Sequence, residues 1–152
     1  MAILQWVILC ERAIIEETTR AVSMMSLVED VTFPPPPDFA KQEKPLFIPY
    51  RFYVVQQWTR SKPKIGERVS GQVTMYGPKA QKFGESKFLV DLTGTPRARI
   101  ILQTFGFPLH GDGVYTCVVQ ALVRTKWRKV GQAEFRVVFA DNVGNRRIQR
   151  SH

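Results

Sequence analysis

Few side chains in this chain are equipped for covalent chemistry, and their spacing does not assemble them. A nucleophile needs a base within hydrogen-bond reach. The histidines are His110 and His152, and the cysteines are Cys10 and Cys117. His152 is the terminal residue, which leaves His110 and Cys117 as the one conceivable Cys–His pair. Cys117, however, falls at a core-facing position of a strand-like run, where a thiol is inert. The sequence holds no Cys-x-x-Cys, no His-x-x-x-His and no dense carboxylate loop, so it offers no metal site. Glu16-Glu17 and Glu29-Asp30 are adjacent pairs, and neighbours on a strand point to opposite faces, so neither makes an acid–base dyad. The Gly77–Glu85 segment has glycine and lysine but lacks the Gly-Lys-Ser/Thr ending and the following helix of a phosphate-binding P-loop. The chain reads as a non-enzyme without a cofactor.

Binding chemistry remains. Arg97 and Arg99 point outward from one strand-like run, and Arg124, Lys126, Trp127, Arg128 and Lys129 crowd a second place. Tryptophan and arginine are over-represented at binding hot spots. A tryptophan among cations can stack on a nucleobase or fill a partner's pocket. The plainer alternative is a solvated charged tip with Trp127 folded back on its own sheet. An exposed sheet edge is a further candidate, able to recruit a partner strand.

These residues need elements to hold them. Gly111-Asp112-Gly113 is a turn signal, and Val114 to Val123 is a strand-like run after it. Tyr115 lies two residues before Cys117, the spacing of the tyrosine corner of immunoglobulin-like sandwiches, where the hydroxyl bonds the backbone upstream. In the run Gly131–Phe139, Ala133, Phe135, Val137 and Phe139 face a core while Gln132, Glu134 and Arg136 face water. Thr125–Val130 between them reads as a charged hairpin tip.

Upstream, Ile3–Cys10 reads as a doubly buried strand continued by Ala13–Glu16, and Ala21–Phe33 as the next. A helix over residues 11–28 competes, but Thr18, Thr19, Val22 and later β-branched residues weaken it. Pro34–Pro37 favours polyproline II, either as a ligand for an aromatic groove or as a stiff connection between sheets. Pro45–Arg60 is the longest strand candidate, with Leu46, Ile48, Tyr50, Phe52 and Val54 on one face and Pro49 marking an edge or bulge. Arg68–Tyr76 alternates, Phe88–Leu92 is short, and Ala98, Ile100 and Leu102 point inward before Thr104–His110 leads to the corner. About seven to nine strands at this turn spacing predict an all-β, immunoglobulin-like antiparallel β-sandwich. One domain over 1–140 and a basic, frayed tail over 141–152 are expected.

A chain of 152 residues can bury roughly 70% of its unfolded surface without staples. Two cysteines make no disulfide framework, and both read as buried small hydrophobes in a reducing compartment, with a Cys10–Cys117 bridge open only if the first strand lies beside that of Cys117. The net charge of +9 is uneven: residues 1–44 carry four basic and seven acidic side chains, 45–119 ten and four, and 120–152 eight and two. Such a surface favours anionic partners, or simply keeps the protein soluble. Ala2–Cys10 is far short of the about 18–20 apolar residues of a membrane span. It also lacks the preceding positive charge and the cleavage site of a signal peptide, so the expected location is cytoplasmic and the chain reads as a complete small protein or subunit.

The strand ending Leu9-Cys10-Glu11, the hairpin into Ser23-Met24-Met25-Ser26-Leu27-Val28-Glu29 and the closing Gly113-Val114-Tyr115 hairpin resemble an uncharacterised bacterial family of small immunoglobulin-like β-sandwich proteins. The resemblance spans most of residues 3–139, implies that fold and supplies no active site. The Pro34–Pro37 run and the basic charge depart from the family pattern. The expected function is a non-enzymatic protein-binding or structural accessory module, a subunit of a bacterial or phage assembly, partnered by another protein or by itself. The alternative is nucleic-acid binding through the basic face and the Trp127 tip.

Overall fold

In a computed structural model of the chain, residues 1–140 are described, and they are all-β. The strands are β1 (Ile3–Ile15), β2 (Val22–Leu27), β3 (Asp30–Phe33), β4 (Leu46–Ile48), β5 (Phe52–Thr59), β6 (Arg68–Tyr76), β7 (Lys82–Asp91), β8 (Arg97–Thr104), β9 (Phe107–Leu109), β10 (Gly113–Val123) and β11 (Lys126–Phe139). A four-stranded sheet runs β2-β1-β5-β8, a five-stranded sheet runs β3-β11-β10-β6-β7, and β4 and β9 form a ribbon. All pairs are antiparallel except β3 with β11.

The period of two builds the core. Phe52, Val54 and Trp58 on β5 face Val69, Val73 and Met75 on β6, Tyr115, Cys117 and Val119 on β10, and Phe135 and Val137 on β11, all buried in one cluster. Phe52 meets Phe135 across the sheets at 5.5 Å, and Phe107, Tyr115 and Phe135 lie 5.2 Å from one another. Trp58 brings a polar N–H into this interior, and that N–H donates to Gln56 Oε1 at 3.0 Å. A buried indole donor left without an acceptor would cost about 1–3 kcal/mol, and Gln56, two residues before it on the same face, supplies that acceptor while its own Nε2 is buried without a partner.

Several sequence expectations change. The strand expected over Ala21–Phe33 is two strands in different sheets. Val28 N–H donates to Leu9 O on β1 at 2.9 Å, and Glu29 O accepts from Arg136 N–H on β11 at 2.7 Å, so the chain crosses between sheets at Val28-Glu29. Residues 11–28 contain no helix, because the end of β1 pairs with β2. The long strand expected over Pro45–Arg60 breaks at Pro49, which has no N–H for a ladder: β4 pairs with β9, and only β5 joins the sheet. Thr104–His110 therefore contains a strand where a connection was expected. Residues 77–85 hold only a tight turn, closed by Gly77 N–H to Gln81 O at 2.8 Å, and β7 is already running at Lys82. These splits raise the strand count among the described residues to eleven. Pro34–Pro37 leaves the five-stranded sheet and leads by a 3₁₀ turn to the ribbon, and Phe39 of that turn packs on Phe139 at 5.7 Å. The tail at 141–152, with His152, lies outside the described residues. Among the described residues no helix is long and apolar enough to cross a membrane.

Candidate functional site

The corner is built from the turn at Gly111 and Gly113, whose φ values of 115° and 130° suit glycine. It delivers Tyr115 to the core, where its hydroxyl accepts from His110 N–H at 2.8 Å and donates to Gly111 O at 2.9 Å. Burial pushes the Tyr115 hydroxyl up to about 12, so it keeps the proton that it donates. Burial likewise pushes the Cys117 thiol up to about 12. His110 Nε2 is buried without a hydrogen-bond partner and does not bond Cys117, so the Cys–His pair is not assembled as a nucleophile and base. Cys10 and Cys117 are both free, buried and on different sheets, and no disulfide joins them. Among the described residues no three His, Cys, Asp or Glu side chains cluster as metal ligands.

The basic surface expected from the sequence is divided. Arg97 and Arg99 are exposed on β8, in the four-stranded sheet. Arg124, Lys126, Trp127, Arg128 and Lys129 sit at the end of the β10–β11 hairpin, in the five-stranded sheet. The hairpin tip is shorter than the Thr125–Val130 segment expected. Val123 pairs with Lys126, so the turn is Arg124-Thr125 alone, and Lys126–Val130 is already strand. Alternation therefore separates the group. Trp127 stands opposite Leu122, while Arg128 stands opposite Ala121 and projects to the other face. Lys129 shares the face of Trp127 and donates to Gln132 Oε1. Trp127 is half-buried rather than fully presented. Arg124, Lys126 and Arg128 line a shallow depression of about 530 Å³.

Arg99 has a different task. Its guanidinium donates to Arg20 O at 2.6 Å, tying the β1–β2 hairpin tip to β8. The first half of β1 pairs with β5 and the second with β2, so β1 and β2 project as a two-stranded arm. The arm folds across the outer face of its sheet to reach Arg99. Cys10 and Val55, which alternation places on that outer face, are accordingly fully buried outside the central cluster.

Part of the arm's apolar surface is nevertheless uncovered. Ile14, Ile15, Met25 and Leu27 are 49–57% exposed. β2 is also an outermost strand with an open edge among the described residues. The register places Ile14, Met25 and Leu27 on one face of the arm and Ile15 on the opposite face, so three large apolar side chains on one face of an edge element make a candidate binding surface, which singly scattered apolar residues do not. The sequence carried one signal of it, the apolar pairs Met24-Met25 and Leu27-Val28, which serve both faces of a strand.

A scan of protein-family models matches no family, and a search of curated proteins finds no match to this chain.

Proposed function

We propose that the chain is a non-enzymatic, immunoglobulin-like module that binds another protein, or a second copy of itself, through the β1–β2 arm, as an accessory subunit of an assembly. The observation that carries this reading is the half-exposed Ile14, Met25 and Leu27 on one face of an open-edged arm. The immunoglobulin-like reading is supported by β1-β5-β8 facing β11-β10-β6-β7, the order of strands A-B-E against G-F-C-C′ in variable-type domains, and by the bonded Tyr115 corner. It is in keeping with the resemblance to small bacterial sandwich proteins. Two free buried thiols support a reducing, cytoplasmic setting.

Light scattering coupled to size exclusion, at low and high salt, tests the reading. An apolar interface gives a species larger than the monomer that persists in high salt, and Met25→Glu with Leu27→Glu returns it to monomer. A partner held through the arm instead co-purifies with the native protein and is lost in that double variant. A clean monomer with no retained partner sinks the proposal. The second reading, nucleic-acid binding, is favoured by Arg124, Lys126 and Arg128 converging on one depression. A monomer that carries nucleic acid only at low salt supports it, because phosphate contacts weaken steeply as salt displaces them.

A further inference from the structure

The sandwich is open on one side, between β7 and β8, the outermost strands of their respective sheets. The cause is the sequence of β7. Pairing with Val69, Gly71, Val73 and Met75 turns Val90, Phe88, Ser86 and Gly84 inward. Val90 and Phe88 fill their half of the interior. Ser86 and Gly84 do not fill theirs, and a Cβ on Gly84 would meet nothing nearer than Met75 Cγ at 3.6 Å. The result is a cleft of about 230 Å³ reaching the core at Val54, Val73, Met75 and Leu102. The β4–β9 ribbon closes one end, and there Phe47, 57% exposed, lines the mouth.

We propose that this cleft receives a tyrosine side chain carried on an extended segment of a partner protein. The proposal rests on the protein-binding reading and assigns it a second surface, apart from the arm. Four observations select this occupant. The volume lies below the about 300–1,000 Å³ of most small-molecule pockets. It exceeds the roughly 150 Å³ cavity known to hold a benzene ring, so a single substituted ring fits. Among the described residues Glu85 is the only ionisable side chain in the lining, and its carboxylate is already paired with Lys82 at 2.6 Å, so a neutral group is favoured. Thr104 lines the cleft, and its hydroxyl is buried without a hydrogen-bond partner. The hydroxyl is closed to solvent in this rotamer, and turned about χ1 towards the cleft it can bond a phenolic hydroxyl but not a hydrocarbon ring. Both long walls are sheet edges without a strand partner among the described residues, so their free N–H and C=O groups can pair with an extended chain.

The test uses the full chain and side-chain analogues, followed by amide NMR shifts. The probes are p-cresol for tyrosine, toluene for phenylalanine, and a capped pentapeptide with a central tyrosine together with its backbone-N-methylated form. Shifts should concentrate on β7, β8 and the ribbon. One hydrogen bond to Thr104 should make p-cresol about three- to tenfold tighter than toluene. Thr104→Val, nearly isosteric, should bring that ratio to about one. Ser86→Leu, which fills the cleft, should abolish both. The pentapeptide should bind more tightly than p-cresol, and its N-methylated form should not. No shift at saturating p-cresol overturns the proposal, and so does a ratio unchanged in Thr104→Val. A pentapeptide no tighter than p-cresol also overturns it, by marking the cleft as a small-molecule site. These outcomes report on the cleft alone. The protein-binding reading at the arm fails separately, by chromatography of the Met25 and Leu27 variants.

Discussion

Replacing Tyr115 by phenylalanine isolates the contribution of one hydroxyl. The ring stays, stacked on Phe135 at 20° and 5.2 Å and packed against Phe107. Two hydrogen bonds go, from His110 N–H and to Gly111 O, and both backbone groups lose their partner at the entry to β10. A typical intramolecular hydrogen bond contributes a net of about 1 kcal/mol, so Tyr115→Phe should cost about 2 kcal/mol. The cost rises towards about 3 kcal/mol if water does not reach the orphaned groups. For a chain of this size that lowers Tm by about 4–8 °C. Tyr115→Ala also loses the ring, which adds about 3–5 kcal/mol. Urea unfolding followed through tryptophan fluorescence reads both variants, and Trp58, fully buried, reports loss of the core. The m-value should stay constant, because neither change alters the surface exposed on unfolding by much. A loss below about 0.5 kcal/mol for Tyr115→Phe would refute the reasoning, since the corner would then contribute nothing beyond its ring.

Two further outcomes follow from the same interior. Cys117 and Tyr115 are neutral when protonated, and burial raises both to about 12 in the folded protein from 9.0 and 10.0. The folded state thus holds these protons to higher pH than the unfolded chain. Their stabilisation is complete below pH 9 and is lost as pH rises from there towards 12, each group costing about 1.4 kcal/mol per pH unit within its window. Urea midpoints measured from pH 7 upward should fall first in the wild type. Cys117→Ala should make the fall above pH 9 shallower, with the other buried thiol, Cys10, which burial also raises, still contributing, and parallel curves for the two proteins would contradict this account. Cys10 and Cys117 should both resist a thiol reagent in the native state and both react once unfolded without reductant, and fewer than two titrating thiols would contradict the free, buried cysteines.

Much of this fold was legible because strand alternation is local. The faces of β11 were readable because Ala133, Phe135 and Val137 alternate with Gln132, Glu134 and Arg136, and one sheet face is dry while the other is wet. The Tyr115 corner was readable for a similar reason: the bonded groups lie at His110 and Gly111, within five residues of the hydroxyl. The divided basic surface was not. Lys126, Trp127 and Arg128 look like one cluster in sequence, yet consecutive strand residues point apart, and a two-residue turn leaves all three on the strand.

What the amino-acid sequence determined by itself was therefore the all-β class, the burial of both cysteines and the closing hairpin, each set by patterns spanning a few residues. The tertiary structure alone decided the rest. The Arg99–Arg20 bond that folds the arm over its sheet joins residues 79 apart. The switch at Val28-Glu29 depends on which of two distant strands offers the next hydrogen bond, Leu9 or Arg136. The cleft exists because the small side chains at Gly84 and Ser86 face Thr104 and Leu102 across two sheets that share no hydrogen bond. A glycine or serine has no signature of the space left in front of it. That space is set by what the opposite sheet fails to send into it.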